Sequence, residues 1–105
     1  MRKLIDKETS REIRRKIRGI LVAQWDPIGV DGIPEAADEY DSYVGGVYEL
    51  LEAGAAVAAI SEYLRGIEVD RMGMVDAGGQ PLLPDFKRNA AVSSIRELNS
   101  YFVWA

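Results

Sequence analysis

The chain contains neither cysteine nor histidine among its 105 residues. Without cysteine it has no disulfide framework, no thiol nucleophile and no zinc–thiolate site. Without histidine it lacks the commonest general base near neutral pH, and Ser–His and Cys–His catalytic pairs are excluded. Carboxylates alone can still bind magnesium, manganese or calcium, but no EF-hand spacing occurs. These absences predict a non-catalytic protein with no cofactor and no bound metal.

Long apolar runs are also absent. The longest, residues 55–60, is alanine-rich and far shorter than the roughly 18 apolar residues that suggest a membrane span. The N-terminal residues are charged, and they are not followed by the hydrophobic core of a signal peptide. We therefore expect a single cytoplasmic domain, residues 1–105, without a membrane partner.

Charge is divided unevenly along the chain, whose net charge is −4. Residues 1–18 carry eight basic side chains against three acidic ones, whereas residues 19–105 carry five basic against fourteen acidic ones. The N-terminal segment therefore favours phosphates or acidic surfaces, and the remainder favours basic ones.

Apolar residues recur at helical spacing and almost never alternate, which predicts an all-α bundle of about four helices and no strands. The predicted helices cover residues 9–25, 34–53, 55–72 and 85–101. The side chains predicted to face the core are Ile13, Ile17, Ile20, Leu21, Ala37, Tyr40, Val44, Val47, Tyr48, Leu51, Val57, Ile60, Leu64, Ile67, Ala91, Ile95, Leu98 and Phe102.

Local signals place the ends of these helices. Thr9 or Ser10 suits the N-cap of the first helix, and Pro27 ends it because the residue before proline avoids the helical region. Pro34 suits the first position of the second helix, and Gly54 is its predicted C-terminal cap.

The most specific motif begins with the segment Trp25-Asp26-Pro27-Ile28-Gly29-Val30 and continues with Tyr40. An indole beside a carboxylate and a glycine turn is one way to build the wall of a pocket. The alternative is structural: Trp25 anchors the core, Asp26-Pro27 closes the helix and Gly29 permits the bend. We favour the structural interpretation for Trp25, Asp26, Pro27, Gly29 and Tyr40.

This signature, followed by Asp38-Glu39-Tyr40-Asp41-x-Tyr43, resembles a family of small bacterial all-helical proteins of unknown function. The resemblance continues through Ile60-x-x-Tyr63-Leu64-x-x-Ile67-Glu68 and Met72-Gly73, and it covers roughly residues 13–75. It implies an all-helical fold and a bacterial origin, and it implies no activity.

An acidic face is predicted on the second helix, opposite its apolar side. Two mid-helix glycines fall on this face, where each costs about 1 kcal/mol relative to alanine, and packing within the protein does not obviously explain them. A gap there lets a basic partner approach, with a tyrosine at the edge as an anchor. The predicted partner-binding residues are Asp38, Glu39, Ser42, Tyr43, Gly45, Gly46, Glu49 and Glu52.

The acidic face suggests a non-catalytic, immunity-like inhibitor that neutralises a basic toxin or nuclease, since complementary charge speeds association. A merely solvated face is the alternative. The basic first helix, with Arg11, Arg14, Arg15 and Arg18 on one side, offers another hypothesis: a regulatory adaptor that contacts nucleic acid. That side can equally be solvated or dock an acidic partner.

Glu68 and Arg71 lie three residues apart toward the apolar side of the third helix, which suits an ion pair. We expect them to meet Asp26 or Tyr40 in a half-buried structural network. A small carboxylate-based enzyme using Asp26, Glu68 and Arg71 is the remaining alternative. The aromatic end, residues 101–105, either folds onto the core or joins a homodimer.

Overall fold

The helices surround one apolar core in a computed structural model that describes residues 4–36 and 38–103. Within these residues the α-helices are α1 (Lys7–Ile20), α2 (Asp41–Glu52), α3 (Val57–Gly66) and α4 (Asp85–Glu97). α1 packs against α2 and α4, and α3 packs against the same two helices. The described residues contain no extended strand, so the predicted all-α bundle is confirmed.

α1 begins earlier than predicted. Asp6, and not Thr9 or Ser10, is its N-cap, because a carboxylate oxygen of Asp6 accepts a hydrogen bond from the Thr9 N–H at 2.8 Å. This bond satisfies one of the free N–H groups that every helix start leaves. The predicted extension to residue 25 is present, but its last part has a different geometry.

Two helices end in a wider π-helical turn, Leu21–Trp25 after α1 and Ile67–Arg71 after α3. In the first, the Asp26 N–H donates to the Leu21 carbonyl five residues back, at 2.8 Å. In the second, Met72 bonds to Ile67 in the same way at 2.9 Å. We call these the first and second π turns.

The sequence explains both π turns. Core residues before them are spaced strictly four apart, as in Ile13, Ile17, Leu21 and Trp25. At 3.6 residues per turn, each four-residue step drifts about 40° around an α-helix. The wider turn offsets this drift, and Trp25 remains fully buried. The spacing of Ile60, Leu64 and Glu68 has the same consequence at the second π turn.

α2 begins at Asp41 and not at residue 34 as predicted. Pro34–Ala36 forms a short 3-10 helix, and the segment continues with bonds three residues apart, including Asp41 N–H to the Asp38 carbonyl at 3.1 Å. The end of α2 is as predicted, since Gly54 adopts a positive φ of 75° and closes it. Ala37, predicted to face the core, lies outside the described residues.

The last two helices follow the prediction more closely. α4 continues as a 3-10 helix, Leu98–Phe102, so the helical region again ends where the sequence indicates. Phe102 is fully buried, with its ring centroid 5.6 Å from that of Tyr48, and this part of the aromatic end therefore folds onto the core. Trp104 and Ala105 lie outside the described residues.

The predicted core is largely confirmed, with Val57 as an exception. Val57 is 48% exposed because it occupies the first position of α3, one turn before the buried Ile60. Ile20 is only partly buried, although it packs against the core. No helix in the described ranges is long and apolar enough to cross a membrane.

The adjacent glycines of α2 face different neighbours. A Cβ at Gly46 would overlap the hydroxyl of Tyr63, which reaches across from α3. The prediction that internal packing does not explain Gly46 is therefore wrong. A Cβ at Gly45 would meet only Nη1 of Arg14, at an ordinary contact distance of 3.8 Å.

We expect Gly45→Ala to raise the free energy of unfolding by up to about 1 kcal/mol, because alanine removes the cost of a helix-interior glycine. Gly46→Ala gains the same propensity but must displace Tyr63, so it should be less stable than Gly45→Ala. Urea denaturation measures both. Gly19→Ala is the matched control, since a Cβ there meets nothing within 4 Å.

The same two alanine substitutions in a Tyr63→Ala background test whether Tyr63 causes the difference in stability. The difference between the two alanine variants should disappear in it, as in a double-mutant cycle for contacting residues. Equal stability of both variants in the natural background would show that Tyr63 does not require the glycine.

Candidate functional site

Two charged side chains are buried in the described residues, and one of them, Glu68 in the second π turn, is fully buried. Its Oε2 accepts hydrogen bonds from the Trp25 indole N–H at 2.9 Å and from Nε of Arg88 at 2.8 Å. Its Oε1 accepts from Nη2 of Arg88 at 2.7 Å. Arg88 also donates to Asp85 at 2.9 Å. Glu68 therefore connects both π turns with α4.

The predicted partner of Glu68 is wrong. Arg71 is exposed, and Glu68 pairs with Arg88, which the sequence interpretation missed. Neither Asp26 nor Tyr40 donates to or accepts from Glu68 in this network. A signal was available, because Arg88 precedes Ala91, Val92 and Ile95 on the buried side of α4, just as Glu68 follows Ile60 and Leu64.

The hydrogen bonds around Glu68 indicate that this network stabilises the fold. Both oxygens of Glu68 are occupied, and no buried side-chain nitrogen or oxygen in the described residues lacks a hydrogen-bond partner. The charge-assisted bonds to Glu68, together with the bond to Asp85, raise the pKa of Arg88 above its ordinary value despite burial. Arg88 therefore stays charged, and the hydrogen bonds of Arg88 and Trp25 to Glu68 fix the geometry of three elements.

Asp26 organises the loop that follows the first π turn. Its Oδ1 accepts from the Val30 N–H at 2.7 Å and from the Tyr40 hydroxyl at 2.8 Å. Its Oδ2 accepts from the Asp31 N–H at 3.1 Å. The Tyr40 hydroxyl in turn accepts from the Ile28 N–H at 3.2 Å. Asp26 itself has a φ of 36°, a left-handed conformation that aspartate tolerates better than most residues.

The protonation of this pair follows from its surroundings. Burial acts to raise the pKa of Asp26, but the hydrogen bonds from Val30, Tyr40 and Asp31 outweigh burial, and the net pKa lies below its usual value. Burial, followed by the neighbouring carboxylate, raises the pKa of Tyr40. Asp26 is therefore an anion that accepts hydrogen bonds, and Tyr40 remains a neutral donor.

The motif has the structural role that the sequence analysis favours. Trp25 and Tyr40 are fully buried, with ring centroids 5.2 Å apart, and Asp26 holds the bend as expected. The outer side of the loop, including Pro27 and Gly29, also lines a cleft of about 640 Å³ against Leu82–Pro84.

The predicted acidic binding face is divided in the structure. Asp38 and Glu39 are exposed in the turn before α2, whereas Ser42, Glu49 and Glu52 are exposed on α2 itself. Tyr43 is half-buried, and its ring meets that of Trp25 edge-on at 6.2 Å, so it is not a free anchor. Tyr63 covers Gly46, and Gly45 faces the arginines of α1.

A basic groove lies between α1 and the start of α2. Its volume is about 400 Å³, and we call it the arginine groove. The lining residues are Arg11, Arg14, Arg15, Arg18, Asp41, Val44 and Gly45. Four guanidinium groups against one carboxylate leave an excess of three positive charges in this groove.

Two of the arginines contact other side chains of the protein. The Arg14 guanidinium lies over the Tyr48 ring, 4.1 Å from its centroid, in a cation–π contact. Arg18 forms a two-pronged ion pair with Asp41, with both nitrogen–oxygen distances at 2.6 Å. The groove therefore already binds one carboxylate in the geometry that arginine prefers for anions.

The cationic lining of the groove suits anionic groups. The described part of the chain contains no group of three or more carboxylates that could hold a metal ion. Arginine is always charged near neutral pH and binds carboxylates and phosphates through planar pairs of N–H groups.

No family model matches the chain, and no curated protein or solved structure is significantly similar to it. The resemblance of the Trp25–Val30 signature to small bacterial helical proteins stays a prediction.

We expect Arg88→Met to lower the free energy of unfolding by about 3–5 kcal/mol, because it leaves the buried Glu68 carboxylate without its counter-ion. The double variant Glu68→Gln/Arg88→Met should lose less of the free energy of unfolding, because glutamine is neutral and its side-chain oxygen still accepts the hydrogen bond from Trp25. Arg71→Met, at the exposed site, is the control and should change stability by no more than about 0.5 kcal/mol. Urea denaturation gives all three values, and equal losses from Arg71→Met and Arg88→Met would contradict the network.

Protonation of Asp26 should make the free energy of unfolding depend on pH in the acidic range. Because its folded pKa lies below the unfolded value of about 3.9, its contribution is complete above that pH and is lost as the pH falls toward the folded pKa. Asp26→Asn, which also tolerates a positive φ, should show a shallower loss below about pH 4. Thermal unfolding at stepped pH measures the slopes. Parallel slopes for both proteins would contradict the role of Asp26.

Proposed function

We propose that this chain is a non-catalytic protein that binds an acidic partner protein through the arginine groove. The observation that carries the proposal is the concentration of Arg11, Arg14, Arg15 and Arg18 around one groove in a chain whose net charge is negative. A local field of sign opposite to the net charge favours a specific contact surface over general solubility.

The Arg18–Asp41 pair supports this choice of ligand. It is an example, within the molecule, of a carboxylate bound in the groove with short bonds to both nitrogens. Arg11, Arg14 and Arg15 are exposed and can bind further carboxylates in the same way. Complementary charges of this kind increase the association rate and the specificity.

The immunity-like alternative has lost part of its support. Gly46 has an internal packing role, and the gap at Gly45 is bordered by an arginine, which suits an acidic group and not a basic one. Exposed carboxylates such as Asp38, Glu39 and Glu49 still favour a second candidate, in which this surface binds a basic protein.

Charge reversal separates the two candidates. We expect Arg11→Glu/Arg15→Glu to weaken partner binding at least about tenfold, which corresponds to about 1.4 kcal/mol. Glu39→Lys/Glu49→Lys is the matched control and should leave binding unchanged. Quantitative affinity purification from the source organism, followed by titration of the recovered partner at two salt concentrations, measures the effect.

The opposite result would favour the immunity-like candidate. A partner that is retained by Arg11→Glu/Arg15→Glu and lost by Glu39→Lys/Glu49→Lys would overturn the arginine groove as the binding surface. The salt series adds a second check, because binding between exposed charges weakens as ionic strength rises.

A further inference from the structure

The floor of the arginine groove is apolar, although its walls are charged. Val44 and Gly45 of α2 form the floor, and the four arginines contribute their hydrocarbon stems to the sides. At Gly45 the one atom within 4 Å of an added Cβ is Nη1 of Arg14, at an ordinary contact distance of 3.8 Å, so the guanidinium of Arg14 borders the groove at Gly45 without overlapping a side chain there. A ligand with an apolar group can therefore bury it there, between the cationic side chains.

The arginines are also spaced regularly. Arg11 and Arg15 lie four residues apart on α1, as do Arg14 and Arg18, which places each pair about 6 Å apart along the helix axis. Carboxylates four residues apart on another helix have the same spacing. Two helices that pack side by side can bring such rows together.

The apolar floor makes the groove more suitable for a peptide than for a phosphate chain. The carboxylate of Asp41 lines the groove and neutralises Arg18 through the 2.6 Å bonds. A nucleic-acid backbone brings a row of closely spaced negative charges. Asp41 repels phosphates and carboxylates alike, but a phosphate row gains nothing from the apolar floor, whereas a peptide with an apolar side chain between its carboxylates contacts both the arginines and the floor.

We infer that the occupant of the arginine groove is an acidic helical segment of the partner protein, with an apolar residue between carboxylates four residues apart. This inference rests on the proposed function and narrows its ligand. The carboxylates bind Arg11, Arg14 and Arg15, and the apolar side chain lies against Gly45. Gly45 therefore determines specificity by keeping the floor of the groove open.

Fluorescence anisotropy with three synthetic probes tests the inference. The first is a blocked helical peptide of about 12 residues, a little over three turns, with glutamates four apart and leucine between them. The second has serine in place of leucine, and the third is an oligothymidine of matching length. We expect the leucine peptide to bind at least about tenfold more tightly than either other probe, a difference well above the scatter of such titrations.

Substitutions at glycine test the apolar floor. Gly45→Leu should weaken binding of the leucine peptide at least about tenfold, because the new side chain fills the groove. Gly19→Leu is the matched control: this helical glycine lies outside the groove and has open space around it, so binding should not change. Circular dichroism checks that both variants fold. If Gly45→Leu does not fold, Gly45→Ala replaces it as a smaller substitution.

The outcomes distinguish this inference from the proposed function. Equal binding of the leucine and serine peptides, or no effect at Gly45, overturns the apolar contact even if Arg11→Glu/Arg15→Glu still abolishes partner binding. Tighter binding of oligothymidine overturns the peptide ligand in favour of nucleic acid. If no probe binds the natural protein, the inference is also wrong, and the charge-reversal purification decides the proposed function separately.

Discussion

The carboxylate of Glu68 is the constraint on which the arrangement of the helices depends. A buried charge without partners is costly, so Trp25 and Arg88 must both reach it, and this requirement sets the positions of the first π turn and α4 relative to α3. The π turns make the contact geometrically feasible, because they keep Trp25 and Glu68 on the buried sides of their helices. Apolar packing surrounds this contact but does not specify its geometry, since apolar contacts are not directional.

The buried Arg88 and the exposed arginines of α1 differ in their surroundings. Arg88 is buried, and its charge is neutralised by Glu68 and Asp85. The arginines of α1 line an exposed groove in which Asp41 neutralises Arg18 alone. The inner pair therefore holds the structure together, and the outer group remains able to bind an anion. The negative charge of the whole chain conceals this division, because the excess of acidic residues lies elsewhere on the surface.

Sequence reasoning succeeded for features that depend on near neighbours along the chain. The four helical regions, the buried Trp25 and Tyr40, and the helix end at Gly54 were all predicted, since periodicity and glycine conformation are local properties. It failed where a residue distant in sequence forms an interaction that was assigned to a near neighbour. Arg71 is adjacent to Glu68 in sequence, yet Arg88 forms the ion pair because α4 lies against α3. The start of α2 was also misplaced, since the bond between Tyr40 and Asp26 fixes the preceding segment as turns.

The candidate site shows the same limit. By itself the sequence determined that arginines share one side of α1, that carboxylates share the exposed side of α2, and that two glycines interrupt that helix. Only the tertiary structure decided what these features face. Tyr63 of α3 covers Gly46, while Arg14 of α1 borders Gly45, so neighbouring glycines acquire different roles and the groove acquires a positive charge. The physical reason is that a helix sequence fixes the direction of each side chain around its own axis, whereas burial and electrostatic potential depend on which other helices pack beside it.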